Sequence, residues 1–333
     1  MEGINIAMEE LKKSLLDLKD ADEGLNLKYP FDTKKNAYDP DSSLRAWEYY
    51  FKMYYEFLSN VDNEYEVFSI EENRFWFIKE NAVYKRVAGT FCYFKNGKYI
   101  WPYKLDESKL REGKNIGIAG DCVFNFNEKK FSRFWKMIKK DNNKKNQQIK
   151  EILLLCSSMH HSPFNFSLMP TTGGLNDIKG IGLDRIDIFL NKLKNIYDDL
   201  KELDESGIKK SDIKELENYI HIQKKGKIGK IDVSTRVGKA LIHFLWCIGS
   251  FKNYCKIFYQ LDYEENEDNL VNKLIKNAEK NESIENSDQL VEYMKLAVEY
   301  WKKQKEKYDE NEKKYNENKE KYEENKKKIL GIN

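Results

Sequence analysis

The most constraining feature of this chain is a change of hydrophobic period in its N-terminal half. Residues 74–103, RFWFIKENAVYKRVAGTFCYFKNGKYIWPY, are rich in the aromatic and β-branched side chains that favour strands. Asn96-Gly97 lies between two such runs, and this pair favours the positive φ angles of a two-residue hairpin turn. IGIAGDCVFNF, at 116–126, is also strand-like. We therefore predict a small antiparallel sheet at about 65–126.

The segments around this sheet have helical period instead. DPDSSLRAWEYYFKMYYEFL, at 39–58, reads as a helix that Asp41 or Ser42 can cap. In residues 183–203, one helical face carries Ile186, Phe189, Leu190, Leu193 and Tyr197. STRVGKALIHFLWCIGSFKNYCKIFYQL, at 234–261, is apolar enough to form the centre of a bundle. The predicted fold class is α+β and helix-dominated, in a single domain over 1–262 whose helical part runs from about 128 to 262.

Residues 263–333 form a charged tail with an internal seven-residue repeat, KYDENEK KYNENKE KYEENKK. One apolar residue recurs per heptad: Met294, Trp301, Tyr308, Tyr315, Tyr322 and Ile329. The complementary coiled-coil position is charged, at Lys305, Glu312, Lys319 and Lys326. We expect a helix over 288–331 whose Trp301-Tyr308-Tyr315 stripe rests on another surface, either the protein's own body or a partner. Removal of 302–333 is then expected to leave the melting temperature of the core nearly unchanged.

Charge and cysteine usage limit the classes of function. The formal net charge of +2 argues against a uniformly basic nucleic-acid coat but leaves local basic patches open. The five cysteines form no CxxC pair, so we predict no disulfide and no zinc. No other metal site and no cofactor is predicted. The N-terminal residues lack the basic and apolar regions of a signal peptide, and no segment is apolar enough to span a membrane. A cytoplasmic location is therefore expected.

The stretch HHSPFNFSLMPTTGGLNDIKG, at 160–180, has two interpretations. His161, Asn165 and Asn176 are the residue types of a ββα-metal nuclease, but His161 and Asn165 are too close in sequence to flank a hairpin. The alternative is a buried turn in which asparagine and threonine side chains bond the backbone. Lys179 and Arg185 lie near the start of the following helix, where a phosphate can bind.

A wider resemblance rests on five segments of the chain. They are PFD at 30–32, DPDSSLR at 39–45, MP at 169–170, LNDIKGIGLDRID at 175–187 and GSFKNYCKIFYQLD at 249–262. Through these, residues 29–262 resemble an uncharacterised family of bacterial proteins that carry a domain of unknown function. The resemblance implies a shared fold and supplies no activity.

RVGKALIH, at 236–243, resembles the Arg-x(4–6)-His motif of helical (HEPN-type) ribonucleases. The resemblance implies that Arg236 steadies the scissile phosphate and His243 relays the proton of the ribose 2′-OH, without a metal. Against it, His243 lies in the apolar run ALIHFLWC, where a core histidine is the competing interpretation.

A lysine-rich loop precedes this motif. Its four lysines are Lys224, Lys225, Lys227 and Lys230. They surround GKIG, which resembles the Gly-x-x-Gly backbone clamp of the KH RNA-binding module. Generic phosphate binding and an ordinary solvated loop are the alternatives.

Two functional hypotheses follow. The first is a nucleic-acid-processing protein, an RNA-cleaving toxin or phage-defence effector in which Arg236 and His243 do the chemistry and the lysines bind phosphate. It would be a metal-independent endoribonuclease acting on RNA or another phosphate-bearing ligand. The second is a non-catalytic scaffold that recruits a protein partner through the helix at 288–331.

Overall fold

The computed structural model of the chain describes residues 2–25, 53, 90–95, 98–103, 115–126, 131–140, 143–170, 184–209 and 212–317. Over these residues the fold is α+β and helix-dominated, as predicted, with a small sheet and a long C-terminal helix. The helices are α1 Glu2–Leu25, α2 Ser132–Lys140, α3 Lys144–Ser158, α4 Ile186–Glu205, α5 Ile213–Gln223, α6 Arg236–Ile248, α7 Phe251–Tyr259, α8 Leu270–Lys280 and α9 Ser287–Glu317. The strands are β1 Thr90–Lys95, β2 Lys98–Tyr103, β3 Asn115–Cys122, β4 Phe166–Pro170, β5 Lys227–Ile228 and β6 Ile231–Asp232.

The main sheet has four antiparallel strands in the order β2-β1-β3-β4. β1 and β2 form the predicted hairpin, with Lys95 opposite Lys98 across the Asn96-Gly97 connection. The predicted limit of the sheet at residue 126 is wrong, because β4 comes from the 160–180 stretch and pairs with β3 from Cys122↔Phe166 to Ile118↔Pro170. All five residues of β4 are buried, so this strand lies inside the protein and not at its surface. The part of the predicted sheet at 65–89 lies outside the described residues.

Helix α4 confirms the face that its sequence period predicts. Each of the five predicted residues is at most 3% exposed: Ile186, Phe189, Leu190, Leu193 and Tyr197. α8 packs against this helix, so residues beyond 262 contribute to the same hydrophobic core as the residues before it. The predicted helix at 39–58 lies outside the described residues except for Met53, which is helical and buried.

The C-terminal helix α9 lies on the protein's own body. Its heptad residues Met294, Trp301 and Tyr308 are 0%, 0% and 4% exposed. Lys305 and Glu312 occupy the complementary positions and stay half-exposed, where Lys305 pairs with Asp309 at 2.5 Å. Of the two surfaces that the sequence left open, the stripe therefore uses the one within the same chain. The side chain of Tyr315, and residues 318–333, lie outside the described part.

Two buried amides extend this contact towards the end of α9. The Gln304 side chain donates to the Tyr259 carbonyl oxygen at 2.6 Å, and the Asn311 side chain donates to the Met53 carbonyl oxygen at 2.6 Å. Both amides are almost fully buried, so this part of the helix belongs to the core. The expectation that removal of 302–333 leaves the core unaffected is therefore at odds with the packing.

Candidate functional site

The first part of the 160–180 stretch is a pair of tight turns followed by a strand. Met159–His161 and Pro163–Asn165 are two 3-10 helical turns, and Ser162 caps the second by accepting a hydrogen bond from the Phe164 amide. Pro163 is the first residue of that turn, where a backbone N–H would have no partner within the turn. The missing N–H of proline therefore costs no hydrogen bond there. The chain then enters β4 directly.

Asn165 is completely buried and joins three parts of the molecule. Its Oδ1 accepts from the Phe124 amide and from the indole Nε1 of Trp301, each at 2.9 Å. Its Nδ2 donates to the carbonyl oxygens of Phe124 at 2.7 Å and His160 at 2.9 Å. Two acceptor and two donor bonds use the hydrogen-bonding capacity of an amide side chain. Asn165 therefore has no capacity left to steer a catalytic histidine, and its predicted nuclease role is replaced by a structural one.

Two further candidates of this stretch, Asn176 and Lys179, lie outside the described residues.

His161 is exposed at the surface, and its ring centroid lies 4.3 Å from that of His160. Cys122, at the end of β3, reaches the same place and donates a hydrogen bond from Sγ to the His160 carbonyl oxygen at 3.1 Å. No local sequence pattern joins a cysteine to these histidines, because Cys122 and His160 are separated by 38 positions.

Arg185 does not bind phosphate in this fold, contrary to the prediction. It is 2% exposed, and its guanidinium donates to both carboxylate oxygens of Asp187, at 2.7 and 2.5 Å. It also donates to the Asn281 carbonyl oxygen at 3.1 Å and lies 4.8 Å from the centre of the Tyr293 ring. Asn277 donates to the same Asp187 carboxylate at 2.7 Å. The group ties the start of α4 to α8 and α9, so Arg185 is part of the core.

The Arg236–His243 motif lies on α6, as the sequence predicted. Thr235 caps this helix by accepting from the Gly238 amide, and Arg236 is its first residue; the Arg236 side chain lies outside the described part. The His243 side chain is 0% exposed, and its Nε2 lies 3.7 Å from Sγ of Cys247, one turn later. A substrate has no route to a fully buried ring, so this position fits the core-histidine interpretation.

The lysine loop divides into one lysine held by acids and three that extend into solvent. Lys224 pairs with Asp199 at 2.9 Å and with Glu202 at 3.0 Å, and these hydrogen bonds raise the pKa of its ammonium group. Lys224 is therefore an internal ion-pair partner, and its predicted phosphate-binding role is not supported. Lys225, Lys227 and Lys230 are exposed, and within the described part of the chain no ion pair includes them.

The loop is a short hairpin and not a KH clamp. β5 and β6 pair antiparallel through Lys227↔Asp232 and Ile228↔Ile231, with Gly229 at φ 55° in the two-residue turn between them. Ile228 and Ile231 are buried on one face, which leaves Lys227 and Asp232 on the other. A KH clamp joins two helices directly, whereas this GKIG segment contains strand β5 and the first residue of the turn to β6, so the KH interpretation is wrong.

The hairpin is fixed firmly to the body. A Cβ atom on Gly238 would lie 2.0 Å from the Asp232 carbonyl oxygen, so only glycine allows α6 to start so close to β6. At the other end, the tip at Gly229 approaches Ile196 of α4. The lysines are therefore carried by a rigid element.

Electrostatics at the hairpin show a concentration of positive charge. Burial lowers the pKa of Lys192 on α4, and the nearby charge of Lys230 lowers it further. The pKa of the Asp232 carboxyl is also lowered, mainly by two hydrogen bonds from Ser234 and additionally by the charge of Lys227. The ammonium groups of Lys192 and Lys230 are therefore close enough to repel each other, and the charge of Glu282 partly offsets this effect at Lys192.

Comparison of the chain with protein-family models, with curated proteins and with solved structures found no match. The assignment of function therefore depends on the site itself. Among the helices of the described residues, none combines the length and the apolar character needed to cross a bilayer.

Proposed function

We propose that the protein binds single-stranded RNA through one surface formed by α5 and the β5–β6 hairpin. This α5–hairpin surface consists of Tyr219, Ile222, Lys225, Lys227 and Lys230. The observation that carries the proposal is the contrast between these three exposed lysines and their neighbour Lys224, whose charge is held by Asp199 and Glu202. The hairpin backbone is already fixed to the body, so only the lysine side chains lose conformational freedom on meeting a phosphate backbone.

The α5 side of this surface supplies contacts of a different kind. Ile222 is 72% exposed, the highest value among the large apolar residues that the structure describes, and Tyr219 is half-buried one turn before it. Residues three apart share a helix face, and the lysines follow directly after the end of α5 at Gln223. Bases that are not stacked in a duplex can pack on such aromatic and apolar groups, which favours single strands over duplexes.

The proposal covers binding and does not include cleavage at His243. That ring is 0% exposed and in contact with Cys247, so RNA held at the α5–hairpin surface would not reach it. The scaffold hypothesis loses its main support as well, because the described part of the heptad stripe already packs on the protein's own core.

Fluorescence anisotropy with a short labelled single-stranded RNA, measured over a series of salt concentrations, tests the proposal. The variant carries Lys225→Gln, Lys227→Gln and Lys230→Gln. Its matched control carries Lys302→Gln, Lys303→Gln and Lys313→Gln, which remove the same charge from exposed positions on α9. The hairpin variant should bind at least about tenfold more weakly. The slope of the logarithm of its binding constant against the logarithm of the salt concentration should be flatter by about 2, because each of the three lost phosphate contacts contributes roughly 0.7.

Ile222→Ser is the second variant, since it leaves the charges in place. We expect weaker binding with an unchanged salt slope. Equal binding by the wild-type chain and the hairpin triple variant would overturn the proposal, as would an equal loss in the α9 control.

A further inference from the structure

The second feature with the geometry of a site is the group formed by Cys122, His160 and His161. One ligand atom from each, the Cys122 Sγ and a ring nitrogen of each histidine, lies within 4.8 Å of the other two. Cys122 ends β3, and the histidines end the 3-10 turn Met159–His161. We propose that this group binds a single Zn²⁺ ion, with a fourth coordination position open to water. The proposal does not depend on RNA binding.

The ligand types favour zinc over harder cations. A thiolate and two neutral imidazoles are ligands that Zn²⁺ accepts at about 2.3 and 2.0–2.1 Å, whereas Mg²⁺ and Ca²⁺ require oxygen ligands. Two adjacent histidines beside a cysteine also differ from the single cysteines of the core. Cys156 and Cys255 are fully buried, and burial raises the pKa of each thiol, which keeps them protonated and inert.

The separation of the three atoms is close to what a tetrahedral ion needs. Ligands at the zinc distances above lie roughly 3.3–3.6 Å apart, so two ligand atoms that are 4.8 Å apart must approach by roughly 1.2–1.5 Å. His161 is exposed and can make this movement by side-chain rotation, while Cys122 is 5% exposed and stays in place. On binding, the Cys122 thiol loses its proton to solvent and its hydrogen bond to the His160 carbonyl oxygen, and the Zn–S bond replaces both.

The surrounding hydrogen bonds hold the group before any ion arrives. The His160 carbonyl oxygen accepts from the Asn165 side chain at 2.9 Å, and the Val123 amide, next to Cys122, donates to the Asn165 carbonyl oxygen at 2.9 Å. The Ser162 amide closes the turn on the Met159 carbonyl oxygen at 3.0 Å. Asn165 therefore positions the backbone of both halves of the site.

The change in burial across the group determines the open position. Cys122 is buried, His160 is half-buried and His161 is exposed, so the ion would lie at the surface with solvent on one side. Three protein ligands and a water are the arrangement of zinc sites that retain an exchangeable position, whereas closed structural sites use four protein ligands. Bound water at such a position loses a proton more readily than bulk water.

Titration of the metal-depleted full-length chain with Co²⁺ tests the site, because a cobalt–thiolate bond gives a charge-transfer absorption that reports the cysteine ligand. We expect one Co²⁺ per chain, displaced by an equal amount of Zn²⁺. His161→Ala should weaken binding by more than the roughly 10–100-fold that loss of an outer partner costs. His161 is exposed, so this variant is expected to fold.

Matched controls separate the site from general histidine and cysteine binding. His221→Ala, at another exposed histidine, and Cys247→Ser should keep the absorption and the stoichiometry. Zn²⁺ should also raise the melting temperature of the wild-type chain, because it binds the folded state. It should not raise that of His161→Ala, because this variant lacks the intact site. Absence of the charge-transfer band in the wild-type chain, or its retention in Cys122→Ser or His161→Ala, would overturn the proposal.

Discussion

Trp301 on α9 donates its indole N–H to the side-chain oxygen of Asn165 at 2.9 Å, although 136 residues separate the two in sequence. Both side chains are 0% exposed. This bond connects the C-terminal helix to the turn that carries His160 and His161, and through Phe124 to the end of β3. The stability of the candidate metal site and the position of α9 therefore depend on one asparagine.

Replacement of Asn165 by Ala should destabilise the protein strongly. It leaves the Trp301 indole and the Phe124 amide without their acceptor, and each buried polar group left in this state costs about 1–3 kcal/mol. We expect a loss of at least about 3 kcal/mol in the free energy of unfolding, measured by urea denaturation. Asn316→Ala, at an exposed position of α9, should change it by less than about 0.5 kcal/mol. A similar small change for both variants would contradict the structural role of Asn165.

The buried Arg185–Asp187 pair should behave as a unit. Arg185→Met leaves the Asp187 carboxylate buried with Asn277 as its remaining donor, and loss of one member of a buried ion pair costs about 3–5 kcal/mol. The double variant Arg185→Met, Asp187→Leu removes both charges and should recover much of that loss. A double-mutant cycle by denaturant unfolding measures the coupling. Strictly additive effects would show that the two side chains do not stabilise each other.

Truncation distinguishes the packed part of α9 from the residues after it. Removal of 302–333 deletes the buried residues Gln304, Tyr308 and Asn311. Gln304 and Asn311 each donate one hydrogen bond to the core. We expect it to lower the free energy of unfolding by at least about 3 kcal/mol. Removal of 318–333 alone serves as the control and should cost less. Equal melting temperatures for the full chain and the 302–333 deletion would restore the expectation from the sequence.

Glu310 should make stability depend on acid pH. Hydrogen bonds from Lys314 and Lys307 lower the pKa of this carboxyl from 4.5 to about 2. The carboxylate therefore stabilises the fold above its ordinary pKa, and this contribution is lost as the pH falls from about 4.5 towards 2. Glu310→Gln should show a smaller drop in melting temperature between about pH 7 and about pH 3 than the wild-type chain. The difference should be small and should shrink in high salt, because the side chain is half exposed.

Glu306→Gln, which removes the same charge from the same helix, is the control for that experiment. It should leave the acid-induced drop as it is in the wild-type chain. If Glu310→Gln and wild type lose stability equally on acidification, the two lysines do not stabilise the carboxylate.

His243→Ala should act on stability and not on an active site. The ring fills space in the core beside Cys247, and loss of a buried side chain of this size costs about 2–4 kcal/mol. His221→Ala, at an exposed position, should change stability by less than about 0.5 kcal/mol. A stable His243→Ala variant that no longer cleaves an RNA substrate of the wild-type chain would instead support the ribonuclease hypothesis.

Local patterns predicted local structure well. The β1–β2 hairpin followed from a two-residue turn between strand-forming runs, and the buried face of α4 followed from apolar residues at helical spacing. β4 escaped prediction because its pairing with β3 joins segments far apart in sequence, and no local pattern encodes such a partner. The heptads of α9 predicted which residues are buried but not against what, since apolar spacing is the same for a cis surface and for a partner.

The candidate sites show the same division. A lysine-rich loop was predicted from a run of lysines and glycines, but its pairing as a hairpin was not. Burial of Arg185 was missed because the Asp187 that pairs with it lies beside a helix start that also suits phosphate. The adjacent histidines at 160 and 161 were noticed, whereas Cys122 reached them only through the β3–β4 pairing.

The place of α9 in the chain has a consequence for synthesis. Trp301 leaves the ribosome 136 residues after Asn165, which is roughly 7–27 s at typical rates of about 5–20 residues per second. During that interval α9 is not yet present to cover the aromatic residues that pack against it, among them Phe124 and Phe126. Nascent chains of this protein would therefore be good clients for chaperones that shield apolar surface until α9 packs over these rings.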